Sequence, residues 1–300
     1  MLLLVDGNAL LHRAYYALPD WRNRSGEATA GVYGFLSMLL GTIETLKPTH
    51  LTIVFDTPHP TFRHQMYVGY QTNREKERQV SEDIWGQVEK LKVVFEKMQV
   101  PVFTVEGFEA DDVIGTVSLQ AAEKDHEVVV ITGDRDLMQL VDAKIKLFMP
   151  QKGLSDGVLI DAEKVLEKLG VHPDQVVDYK ALVGDSSDNY PGVTGIGPKT
   201  AVHLLAEYGS FDEVYKNLGK LGEKIRGKLT EGYEGGQLSK ELATIRRDTP
   251  VTWHSEAAEL PAQEKILEVL KELGYKSLVR RVGGTDKDMK EADDNQQTLF

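Results

Sequence analysis

Residues 128–142 read VVVITGDRDLMQLVD: a β-branched apolar run, a glycine, two aspartates flanking an arginine, then an apolar pattern of helical spacing. A run without polar alternation marks a strand buried on both faces, as in a parallel sheet covered by helices. Yet it delivers Asp134 and Asp136 together at its end, where like charges repel. Three other apolar runs end the same way. LLLV (2–5) is followed by Asp6, LTIVF (51–55) by Asp56, and VPVFTV (100–105) by EGFEADD, which carries Glu109, Asp111 and Asp112. Helical stretches separate these runs, so the first half alternates β and α. In open α/β sheets ligands bind beyond the carboxyl ends of the strands, so these acids are expected to meet at one edge.

For any one acid, helix-start chemistry is a sufficient explanation, because Asp and Glu favour helix N-termini. Glu109 and Asp112 are spaced to share one face at the start of a helix running to about Glu123. Four strand ends that all supply carboxylates call for more. Clustered carboxylates coexist only if protonated or bridged by cations, and an oxygen-only ligand set suits Mg²⁺ or Mn²⁺. A further acidic pair, Asp185 and Asp188, lies in ALVGDSSDNYPG. Two ions about 3.5–4 Å apart among such ligands are suited to phosphodiester hydrolysis.

Downstream, PGVTGIGPKTAVHLLAEYG (191–209) sets Gly195, Ile196 and Gly197 before Pro198, the favoured first residue of a helix, and Gly209 stops it. A glycine turn at a helix N-terminus presents backbone N–H groups to phosphate without reading sequence, with Lys199 and Thr200 close by. The segment GVTGIGPKT imitates a nucleotide-binding loop, but Pro198 interrupts the pattern and no strand precedes it.

Composition sets the frame. The 300 residues are 41% hydrophobic, enough for one large domain or two ordinary ones, and no apolar run approaches a membrane span. Zero cysteines exclude thiolate sites and fit a reducing, cytoplasmic setting. The net charge of -12 argues at first against nucleic acid. Its distribution reverses the argument, since the acidic tail from Asp286 to Phe300 and the nine carboxylates above account for the whole excess.

LLLVDGNALLHRAYYALP, TFRHQMYVGY, EGFEADDVIGT, VVVITGDRDLMQL, ALVGDSSDNYPGVTGIGPKTA and IRRDTPV together closely resemble the 5' nuclease domain of bacterial DNA polymerase I and its stand-alone relatives, in the flap endonuclease superfamily. The resemblance covers about residues 1–282. It implies an α/β fold: a PIN-like parallel-sheet nuclease core over 1–172, with a helical arch near 63–95. A helical module over 173–283 would follow, with a helix-three-turn-helix near 185–209 that grips DNA. By the same resemblance Asp6, Asp56, Glu109, Asp111 and Asp112 surround chiefly one Mg²⁺ or Mn²⁺, and Asp134, Asp136, Asp185 and Asp188 chiefly a second. Arg13, Arg63 and Arg74 are implied phosphate contacts, Tyr67 and Tyr70 either stack on a base near the cleaved bond or, for one of them, pack in the core, and potassium is implied at the glycine hairpin. The substrates implied are branched or 5'-flap DNA and RNA primers on DNA.

The chain departs from the family at YQTNR (70–74), where Gln71 replaces a usual lysine. A neutral amide stabilises phosphate charge less than an ammonium. That substitution gives some support to a rival reading, a junction-binding module that does not cut. A small-ester phosphatase is a further rival, which leaves the glycine hairpin unexplained. Residues 284–300 lack apolar period and read as a flexible acidic tail, closing on QQTLF. Gln296, Leu299 and Phe300 there resemble peptides that dock in the bacterial sliding clamp.

Overall fold

The computed structural model describes residues 1–19, 21, 28–72, 78–151 and 157–299. β1 (Leu2–Asp6) leads into α1 (Gly7–Ala17) and α2 (Ala30–Leu46), then β2 (His50–Val54). α3 (Phe62–Met66) and α4 (Arg78–Met98) precede the short β3 (Val102–Phe103), α5 (Ala110–Glu123) and β4 (Val128–Ile131). β5 (Ile145–Pro150) and β6 (Gly157–Ile160) complete a six-stranded sheet of order β3-β2-β1-β4-β5-β6. All neighbours are parallel except β5 and β6. The order reverses direction between β1 and β4, where α/β sheets open a crevice for ligands. β3 is shorter than its apolar run: only Val102 and Phe103 pair with β2, and Pro101 before them has no N–H to give.

Every residue of β1 and β4 is buried, as the unbroken apolar runs require. Successive side chains point to opposite faces. Leu2 and Leu4 pack with Val113, Val117 and Trp253 on one side, while Leu3 and Val5 pack with Phe35, Ile53 and Phe95 on the other.

The second half is helical: α6 (Ala162–Leu169), α7 (Val176–Val183), α8 (Pro198–Tyr208), α9 (Phe211–Lys216), α10 (Glu223–Glu231) and α11 (Tyr233–Ala243). The chain then returns to the sheet. Trp253, fully buried, donates from Nε1 to Thr52 Oγ1 at 3.1 Å, and Leu260 N bonds Thr49 O. α12 (Gln263–Glu272) and α13 (Lys276–Arg281) follow.

Residues 284–300 differ from the expected flexible tail. Asp286–Leu299 form a helix, α14, that packs on α12 and α13. Thr285 and Asp288 cap it reciprocally: Thr285 N donates to Asp288 Oδ2 (2.8 Å) and Asp288 N to Thr285 Oγ1 (3.3 Å). Lys271 binds both Asp288 and Glu291, and Ala292 is fully buried. Two of the acids that suggested disorder, Asp288 and Glu291, are ion-pair partners of α12, and Asp293 pairs with Lys276 of α13. Of the terminal peptide, Phe300 and the side chains of Gln296 and Leu299 lie outside the described residues.

Candidate metal centre

At the carboxyl edge of the sheet, Asp6, Asp56, Glu109, Asp111, Asp134, Asp136 and Asp188 line one cavity of about 770 Å³. Each is fixed by the end of its element. Asp6 closes β1 and caps α1 by accepting from Ala9 N (2.9 Å); its other oxygen accepts from Thr132 Oγ1 (2.7 Å) across the switch point. Thr132 Oγ1 also accepts from Asp134 N (2.9 Å), and Asp134 Oδ1 from Asp136 N (2.8 Å). Asp56, just past β2, accepts from Ala110 N (2.7 Å) at the start of α5, and its own N–H donates to Asn8 Oδ1 (2.9 Å). A backbone N–H thus orients the Asp134 carboxylate within the TGDRD turn.

The cost of this gathering is visible in the acids themselves. Burial, with Asp56 and Asp134 adding repulsion, raises Asp6 to about 7. Burial raises Glu109 to about 7 against the pull of Arg63. Asp111 is driven well above the usual carboxylate range by burial and by Asp134, Asp6 and Asp56. Burial and Asp134 raise Asp136 to about 6. Among the described residues no three of these side chains are already gathered tightly enough to hold an ion. The donor chemistry fits a hard divalent ion: oxygen ligands only, anionic, and facing open space. The Tyr190 hydroxyl, buried without a protein partner beside Asp134, Asp136, Asp185 and Asp188, adds an unsatisfied polar atom on the same side.

Asp185 and Asp188 come from the loop between α7 and α8. Gly192, at φ 62°, lets that loop close: a Cβ there would lie 2.2 Å from Gly184 N. Asp185 and Tyr190 exchange backbone hydrogen bonds of 3.0 Å across it. The loop reaches back to the core, with Gln71 N donating to Asp188 O (3.0 Å) and Asn189 Nδ2 to Gly69 O (2.7 Å). Beyond it, exposed Gly195, at φ 82°, and Gly197 lead into α8, which no side chain caps. Exposed Lys199 and half-buried Thr200 flank this open N-terminus, whereas the Ile196 side chain is core and its N–H donates to Val193 O (2.9 Å).

Two domain models match this chain: the 5'-3' exonuclease N-terminal resolvase-like domain over residues 1–170, and the 5'-3' exonuclease C-terminal SAM fold over 171–265. The chain belongs to the 5'-3' exonuclease family. Among its relatives, DNA polymerase I of Bacillus subtilis is 37% identical over 298 residues, which are 98% of this chain and 33% of that protein. DNA polymerase I of Mycobacterium tuberculosis H37Rv is 40% identical over 256 residues, 83% of this chain and 28% of that protein. The chain thus spans about a third of the length of these relatives. The solved structure of a zinc-bound T5 5'-exonuclease superposes with a TM-score of 0.68 at 22% identity, covering 100% of this chain and 99% of that one. The catalytic core of Rad2 with a DNA substrate gives 0.57 at 17% identity, covering 100% and 92%. At such identities the likeness establishes the fold.

Within this 5'-3' exonuclease chain several expected contacts are placed otherwise. Arg63 is no surface phosphate contact: it is 2% exposed, with Nη1 and Nη2 on Asp112 and Nε and Nη2 on the Leu242 and Thr244 carbonyls. Burial opposes its charge, but Asp112 and Glu109 outweigh burial and raise its pKa. Asp112 is consumed in the same cluster, accepting also from the Glu109 and Arg246 backbone N–H groups, and does not line the cavity. Tyr70 is packed into the core at the edge of the cavity. It is 4% exposed, and burial reinforced by Glu109 holds its phenol protonated to donate to Glu109 Oε2 at 3.1 Å. Tyr67 is half-buried against the Tyr70 cluster, Arg13 is half-buried on α1, and Arg74 lies outside the described residues.

Other residues escaped the sequence reading. Exposed Tyr16 and His12 stack at the cavity mouth with ring centroids 6.4 Å apart. Lys228 Nζ donates to Gly195 O at 2.6 Å, so potassium at that hairpin carbonyl would face a resident ammonium. Lys180 on α7 binds both Asp136 and Asp185. A lysine in VVDYKALV, five residues before Asp185, was the signal available for it.

Proposed function

We propose that this chain is a structure-specific 5' nuclease that hydrolyses phosphodiesters near junctions of single- and double-stranded DNA. One observation carries the reading. Carboxylates from four strand ends and a helical loop face a single cavity, and the same loop continues into a helix N-terminus suited to phosphate. Asp6, Asp56, Glu109, Asp111, Asp134, Asp136 and Asp188 would hold divalent ions, Mg²⁺ or Mn²⁺ by their ligand hardness, with Asp185 beside them. Such ions, when bound, supply Lewis acidity for the displacement at phosphorus. Thr132 and the surrounding N–H groups orient the carboxylates, and Gly195, Gly197, Lys199 and Thr200 hold the duplex backbone.

Kinship with DNA polymerase I supports action on 5' flaps and RNA primers in replication and repair. The ending QQTLF supports docking to a sliding clamp, which deletion of residues 296–300 would abolish. Gln71 favours a second reading, a module that binds branched DNA without cutting it.

The deciding experiment incubates an end-labelled 5'-flap duplex with the protein in Mg²⁺ or chelator, beside Asp134→Asn. Cutting at the junction that needs metal and disappears in the variant is the expected result. Tight binding without cutting in either Mg²⁺ or Mn²⁺ would establish the binding module instead.

A further inference from the structure

Lys180 is placed where the second divalent ion is expected. Its Nζ lies 2.5 Å from Asp136 Oδ1 and also contacts Asp185 Oδ2, and the three side chains are 13–17% exposed. The second oxygen of Asp185 is occupied as well, accepting from Ser187 N (2.7 Å), Ser187 Oγ (2.5 Å) and Asp188 N (3.2 Å). Both Asp185 oxygens thus already have partners while the lysine stays, and a positive charge stands on the one that faces Asp136.

We propose that Lys180 is a resident cation that holds Asp136 and Asp185 together in the metal-free protein and withdraws before a divalent ion takes that position. The inference rests on the proposed metal-dependent reading of the site. An ammonium and a divalent ion held on the same two carboxylates repel each other, and at short range away from bulk water that repulsion is strong. Lysine is suited to leaving, because its charge rides on a flexible four-carbon stem and makes no fixed bidentate fork. The fixed geometry of Arg63 on Asp112 is the contrast within the same molecule. Ions consequently bind in order, first among Asp6, Asp56, Glu109, Asp111 and Asp134, then more weakly at the pair guarded by Lys180. Lys180 acts as a positioning residue that sets the affinity of the second step.

The test is a Mn²⁺ titration of the full chain without DNA, followed by calorimetry and by the electron paramagnetic resonance of free Mn²⁺. Lys180→Met keeps the length of the side chain and removes its charge. The expected result is a second binding step at least about tenfold tighter than in the unmodified protein, with the first step unchanged. A second step that is unchanged or weaker overturns the proposal, and so does equal weakening of both steps, which marks a scaffold. A crystal of the unmodified protein soaked in Mn²⁺ decides independently of how the variant folds. An ion on Asp136 and Asp185 with Lys180 Nζ moved off both carboxylates supports the proposal; an ion there with Lys180 still on both overturns it. Absence of any Mn²⁺ binding defeats the metal-dependent reading itself, and junction cleavage that persists while the titrations fail defeats only the role of Lys180.

Discussion

Arg63 and Asp112 form a bidentate pair, Nη1 to Oδ2 at 2.7 Å and Nη2 to Oδ1 at 2.9 Å, with the Asp112 side chain fully buried. The pair joins α3 to α5 and, through the Leu242 and Thr244 carbonyls, to the end of α11. Removing one partner leaves a buried charge uncompensated. Arg63→Ala is expected to lose about 3–5 kcal/mol of stability in urea denaturation. A loss below about 1 kcal/mol, accompanied by weakened DNA binding, would return Arg63 to the role of phosphate contact.

Gln71 donates from Nε2 to Asp188 Oδ1 and to the Tyr70 hydroxyl, both at 3.3 Å, at the edge of the cavity. A lysine there would bring a positive charge to the same place. Gln71→Lys is expected to raise single-turnover cleavage of a flap substrate about tenfold, since charge-assisted hydrogen bonds are about twice as strong as neutral ones. A slower variant would mean that the amide is matched to Asp188 and that the ammonium pulls this ligand away.

The raised carboxyls predict an inverted pH response. Asp6 and Glu109 sit at about 7 and Asp136 at about 6 in the folded protein, above their ordinary values. A group raised by folding binds its proton more tightly in the native state. Its contribution is complete below the unfolded pKa near 4 and is lost as pH climbs through about 6 to 7. Thermal melts in chelator should therefore show a lower Tm near pH 8 than near pH 5.5, with Mn²⁺ restoring more at the higher pH. A Tm in chelator that does not fall between pH 5.5 and pH 8 would mean that burial does not hold these acids above their ordinary range.

Ala292 is fully buried in the face that α14 presents to α12 and α13. Ala292→Asp should cost about 1–3 kcal/mol, because a charge cannot be buried there and the helix must lift away. A flexible tail would tolerate the change within about 0.5 kcal/mol.

The strand-end acids were legible because two local facts coincide: apolar runs that must be buried, and acids directly after them. The position of Asp134 against Asp6 then follows from sheet topology alone. The fate of Arg63 was not legible. Its partners include carbonyls 179 and 181 residues away, and no local pattern separates a buried arginine from an exposed one. Asp112 misled for a related reason: its spacing from Glu109 suits a shared ligand face and a helix cap equally, and here the cap and Arg63 take it. In the tail, high charge density hid a docked helix, since Lys271 lies well outside the segment it neutralises.

The bonds that join Asp188 and Asn189 to Gln71 and Gly69 also fix the distance between two parts of the proposed site. One end of the segment between α3 and α4 is pinned to the loop that precedes the glycine hairpin. The place where duplex would be gripped and the place where a strand would be cut are thus set by one short ruler of backbone. On the proposed function a substrate would be measured from its duplex side, so the cleavage position should stay constant however long the unpaired 5' end grows.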